Sequence, residues 1–74
     1  MRPTSLTTAV AAEIRGLMAK RKLRYGDLAE FMDVNPKTVS RLLNSTHPID
    51  LTELERIGMF LGVSPVELVE MATG

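Results

Sequence analysis

The sequence predicts an all-α protein: a compact domain of five short helices, the second and third forming a helix-turn-helix. Three observations lead there. Apolar residues recur at helical spacing, and no stretch alternates cleanly as a strand would. Helix-start signals recur at Asn35-Pro36, at Asp50 with Glu53, and at Ser64-Pro65 with Glu67. The chain has 74 residues and no cysteine, which sets one domain held by packed helices, without disulfides or a Cys-based zinc site.

The first helix is expected from Ser5 or Thr7, both plausible N-caps, to Arg21. Leu6, Val10, Ile14, Leu17 and Met18 fall on one face. A short second helix follows over Tyr25 to Met32, with Leu28, Ala29 and Met32 on one side. Asn35-Pro36 then starts the third. Asn is suited to accept a hydrogen bond from a backbone N–H of the first turn, and proline loses nothing at the first helical position, where that N–H has no partner. Pro36 also prevents the second helix from running straight into the third, so the chain turns between Met32 and Asn35. The third helix ends near Asn44, and Ser45-Thr46-His47-Pro48 reads as a loop.

Asp50 as N-cap with Glu53 starts the fourth helix, whose stripe is Leu51, Leu54, Ile57 and Leu61. Gly62 stands where a left-handed residue ends it. Gly58, mid-helix, costs about 1 kcal/mol against Ala and implies a close helix contact. Ser64, Pro65 and Glu67 start a fifth helix, to about Met71, burying Leu68 and Val66 or Val69. No repeat, linker or low-complexity segment is evident.

Composition narrows the function. A chain this short buries only roughly 60% of its unfolded surface, and 45% apolar residues suffice for a core. No apolar run approaches the roughly 18 residues of a membrane span, and no secretory signal is evident. A cytoplasmic protein is the expectation. The formal net charge is +0, yet its distribution is uneven. Residues 1–44 hold eight Lys or Arg and four acids, a net of +4, and residues 45–74 hold one base and five acids, a net of −4. Such segregation suits a molecule with one face for an anion, although it also arises by chance in short chains.

The chemistry concentrates in DVNPKTVSRLLN, Asp33 to Asn44. Val39, Leu42 and Leu43 share one face of the third helix and can pack on Leu28, Ala29 and Met32. Lys37, Thr38, Ser40 and Arg41 cover the other side. Lys37 and Arg41, four apart, project together and match the acceptor pair on the guanine edge in the major groove. Thr38 and Ser40 are short enough to keep the helix slim. The N-terminus of this helix adds free N–H groups and a positive dipole end at Asn35. Arg24, Tyr25, Asn35, Asn44 and the loop around His47 are candidate phosphate contacts, which fix orientation while base edges fix sequence.

The segments IRGLMAKRKLRYGDLAEFMDVNPKTVSRLLNS and IDLTELERIGMFLGVSPVELV resemble the lambda-repressor-like helix-turn-helix family, which includes Cro and the phage immunity repressors. The ordered matches are Leu28-Ala29, Val34, Thr38-Val39-Ser40-Arg41, Leu61-Gly62-Val63-Ser64 and Leu68, within residues 14–69. The resemblance implies a five-helix domain whose third helix enters the major groove, usually as a symmetric dimer. Its base-contacting positions fall on Pro36, Lys37, Thr38, Ser40 and Arg41, its phosphate-contacting positions on Tyr25 and Asn44. Three departures stand out. Arg24-Tyr25 replaces a common Ser-Gln, Pro36 replaces a frequent Gln, and Asp33 occupies the turn position of a Gly.

The blander alternatives remain beside these readings. Lys37 and Arg41 in an arbitrary helix would be a solvated face. The run Lys20-Arg21-Lys22-Leu23-Arg24 is either a solvated helix end or a contact to DNA backbone. His47 has no partners for a metal site. Phe31, Met59 and Phe60, with Val66, Val69 or Met71, form either a wider core or a dimer contact. The expected function is a sequence-specific regulator of double-stranded DNA, a repressor of phage or prophage type acting as a homodimer on a pseudo-palindrome. The alternative is an antitoxin component or a protein-interaction module that keeps the fold. No cofactor, membrane partner or small-molecule substrate is implied. With one histidine, no cysteine and no Gly-rich phosphate loop, an enzyme is the reading least supported.

Overall fold

The computed structural model describes residues 6–44 and 48–74. Five helices follow in order: α1 (Leu6–Lys20), α2 (Tyr25–Met32), α3 (Pro36–Asn44), α4 (Leu51–Leu61) and α5 (Pro65–Thr73). There is no strand among the described residues. α1 packs on α3 and α5, α2 on α3 and α4, and α4 on α5.

Helices of eight or nine residues, such as α2, α3 and α5, are marginal alone in water, so packing must hold them. One core does so. It takes Val10, Ala11, Ile14 and Met18 from α1, Leu28, Ala29 and Met32 from α2, and Val39, Leu42 and Leu43 from α3. Leu54, Ile57, Leu61 and Leu68 close it from the far side, with Ile49 from the segment before α4. Burying each large aliphatic side chain contributes about 1.5–3 kcal/mol.

Three helices end in the same way. Lys22, Asp33 and Gly62 are left-handed, with φ of 57°, 58° and 71°. In each case the next residue folds its N–H back onto a carbonyl five positions earlier: Leu23 to Met18 (2.8 Å), Val34 to Ala29 (2.9 Å) and Val63 to Gly58 (2.9 Å). This closes carbonyls that would otherwise lack partners. Leu23, Val34 and Val63 then pack against the core. Only one of the three left-handed residues is glycine, and the lysine and aspartate accept a cost of roughly 1–2 kcal/mol each.

Three arginines close helix ends from a distance. Arg15 of α1 donates to the Leu43 carbonyl at the end of α3, and Arg21 to the Leu61 carbonyl at the end of α4. Arg56 of α4 donates to the Met32 carbonyl at the end of α2, at 3.4 Å. A cation at a helix C-terminus also answers the negative end of the dipole.

The expected start signals are present. Asp50 accepts from the Glu53 N–H (2.7 Å), and the Glu53 carboxylate accepts from the Asp50 N–H (3.0 Å). Ser64 and Glu67 make the same reciprocal pair at 3.1 and 3.0 Å. Gly58 does mark a close approach, but to a turn: a Cβ there would lie 2.5 Å from the Val63 carbonyl oxygen.

Several expectations need correction. Leu6 and Leu51, assigned to core stripes, are 48% and 79% exposed. Each is the first residue of its helix and projects beyond the neighbouring elements. Val66 is 65% exposed, so Leu68 is the buried residue of α5, with Val69 half-buried. α1 stops at Lys20, one residue before the expected end, because the chain turns left-handed at Lys22. α5 runs two residues past Met71, to Thr73. Phe31 and Phe60 meet with ring centroids 5.5 Å apart, bridging α2 and α4, while Phe31 stays 49% exposed.

Candidate nucleic-acid interface

The interface begins with the turn that sets α3 against α2. Asp33 turns the chain, Val34 anchors it in the core, and Asn35 starts α3. The Asn35 side-chain oxygen accepts from the Lys37 N–H at 2.8 Å, and the Asn35 carbonyl accepts from the Thr38 N–H at 2.8 Å. The inner face of α3 is closed: Val39 and Leu43 are 0% exposed. That fixes the roll of the helix and leaves one face outward. Lys37, Arg41 and Asn44 are exposed on it, and Pro36 is exposed at the start of the helix. Thr38 and Ser40 are half-buried and flank that face, where full projection was expected.

Electrostatics distinguish α3 from its neighbours. Asp27 stands in the first turn of α2, and its carboxylate accepts from the Arg24 N–H at 2.9 Å. Glu53 and Glu67 occupy the same turn of α4 and α5. α3 has no acid in its first turn, and its cap, Asn35, is neutral. Of α2 to α5, α3 is therefore the helix whose positive end is not already answered by a carboxylate. At the start of α2, by contrast, the Asp27 carboxylate already stands beside Arg24 and Tyr25.

The segregated charge of the sequence is partly internal. Arg15 and Arg21 belong to the basic half, yet their guanidinium groups serve the carbonyl ends of α3 and α4. Lys20, Lys22, Arg24, Lys37 and Arg41 remain exposed cations. Asp27, Glu30 and Asp33 are exposed on and just after α2, so the positive face is that of α3 and not of the whole helix pair.

The residues assigned to phosphate fall in two groups and one gap. Arg24 and Asn35 are exposed at the starts of α2 and α3. Tyr25 is half-buried, its ring against the core, and its hydroxyl meets the Asn44 amide at 3.0 Å. That contact, between residues 19 apart, has no signature in the sequence. His47 lies outside the described residues.

A family model for the Cro/C1-type HTH DNA-binding domain matches residues 13–73. The chain belongs to that family. As a Cro/C1-type domain it is a DNA-binding, helix-turn-helix module of the transcription-regulator kind. The match takes in all of α2 to α5 and the C-terminal half of α1. No curated protein and no solved structure matches the chain significantly. Among the described residues no group of three or more His, Cys, Asp or Glu could hold a metal ion, and no helix is long and apolar enough to cross a membrane.

Proposed function

We propose that the protein is a sequence-specific repressor of phage or prophage type, laying α3 in the major groove of double-stranded DNA. The observation that carries this reading is the outward face of α3, with two exposed cations one turn apart and a helix start free of acid. Lys37 and Arg41 read base edges by donating to guanine acceptors, while Thr38 and Ser40 offer hydroxyls at the margins of the same face. Pro36 places an apolar ring where a thymine methyl can touch it. Arg24, Tyr25, Asn35, Asn44 and His47 make up the phosphate-facing set.

A homodimer on a pseudo-palindrome, with half-sites about 34 Å apart, completes the proposal. Leu51, Met59, Val66 and Met71 are exposed apolar residues on α4 and α5, and they supply material for such a contact. The same residues are what favours the second reading, an antitoxin or other protein-binding module on this fold.

Selecting bound sequences from a random DNA pool tests both at once. A repressor returns an inverted repeat, and its binding falls with salt at a log–log slope of about −0.9 per phosphate contact. Lys37→Ala or Arg41→Ala should each lower discrimination at one base position by about 1–3 kcal/mol. No enriched sequence and a flat salt response would leave the protein-binding module.

A further inference from the structure

Tyr25 opens α2 and Asn44 closes α3, and their polar groups meet across the helix pair. Asn44 Nδ2 lies 3.0 Å from the Tyr25 hydroxyl and 3.1 Å from the Ser40 carbonyl oxygen. A carbonyl oxygen only accepts, so the atom facing Ser40 must be the amide nitrogen. That fixes the orientation of the amide. Its two hydrogens are then both committed, one to Ser40 and one to Tyr25. What Asn44 retains is its amide oxygen, an acceptor, which has no attraction for a phosphate. Tyr25 has the complementary property. Its hydroxyl oxygen accepts from Asn44, so its single hydrogen is directed elsewhere. The ring is held against the core, which limits where that hydrogen can point.

We infer that Asn44 is a positioning residue that does not itself touch the DNA backbone: it orients the Tyr25 hydroxyl so that this group donates to a DNA phosphate. The inference rests on the DNA-binding reading above and reassigns one member of its phosphate-facing set. An accepted hydrogen bond also polarises the O–H, which strengthens its donation to an anion.

A double-mutant cycle tests it. Wild type, Tyr25→Phe, Asn44→Ala and the double variant are titrated against a duplex obtained from the random-pool selection. Tyr25→Phe should lose about tenfold or more in affinity, the effect of one hydrogen bond to a charged group. Asn44→Ala should lose most of the same factor, and the double variant should bind no worse than Tyr25→Phe. The salt slope should not change, because no cation is removed. Losses that multiply in the double variant would show Asn44 contacting DNA independently and overturn the assignment. So would a Tyr25→Phe protein that binds as wild type does. Alanine raises helix propensity at position 44, and a melting curve checks that the fold survives. A second readout excludes a merely structural effect. Replacing backbone phosphates singly by neutral methylphosphonates should weaken wild type at one position where both single variants are indifferent; unchanged sensitivity there in either variant overturns the assignment. A wild-type chain that binds no selected duplex refutes the DNA reading itself, before any variant is compared.

Discussion

The turns Asp33-Val34-Asn35-Pro36 and Gly62-Val63-Ser64-Pro65 are built alike and used differently. In both, a left-handed residue ends one helix, a valine packs into the core, a polar cap starts the next helix, and proline takes its first position. The difference lies two residues further on. After Pro65 comes Glu67, whose carboxylate accepts from the Ser64 N–H and closes the helix start. After Pro36 the corresponding residue is Thr38, and no acid stands in that turn. One turn builds a start completed by its own carboxylate. The other leaves the positive end of a helix available to an outside anion. What sets α3 apart from α5 is thus partly a group it lacks.

That contrast can be broken directly. Thr38→Glu gives α3 the carboxylate that α5 already has. It should stabilise the fold slightly, by about 0.3–1 kcal/mol, while DNA affinity falls by on the order of 3 kcal/mol because the new carboxylate enters the negative potential of the proposed groove contact. Opposite signs in a urea melt and a binding titration are the expected result. Gly58→Ala probes the other side of the comparison. Four residues before its left-handed turn residue, α2 carries Ala29 and α4 carries Gly58. A Cβ at 58 would sit 2.5 Å from a backbone oxygen, so the substitution should cost about 1–3 kcal/mol of stability in spite of alanine's better propensity. The smallest effect is expected at Lys22, left-handed like Asp33 but without an Asp side chain's tolerance for that conformation. Lys22→Gly should raise stability by about 1 kcal/mol, read as a higher urea midpoint with an unchanged slope.

Much of the fold was legible because its signals are local. Asn35-Pro36, Asp50 with Glu53, and Ser64-Pro65 with Glu67 each act within one turn, so the sequence alone places those helix starts. The inward face of α3 was also legible, since Val39, Leu42 and Leu43 leave no other side to bury. The stripes failed at Leu6 and Leu51, where periodicity continues past the point at which another element is present to pack against. Ala11 and Ile49 were missed for the opposite reason: one is small and the other stands outside a helix, yet both are covered. The left-handed Lys22 carries no residue-type signal at all. In the site, residue type pointed to Lys37 and Arg41, but not to the half-burial of Thr38 and Ser40, which depends on how α3 is rolled against its neighbours. The Tyr25–Asn44 contact and the arginine contacts were illegible because they join residues 19 to 40 positions apart.

Those arginine contacts bear on how the helix pair α2–α3 could be transplanted. Both helices of the helix-turn-helix end on carbonyls closed from outside the pair, Met32 by Arg56 of α4 and Leu43 by Arg15 of α1. A graft of residues 25–44 onto another scaffold would strip the Met32 and Leu43 carbonyls of these donors. A chimera that keeps this chain's aim on a double helix has to import both guanidinium groups, or provide donors of its own at the same two places.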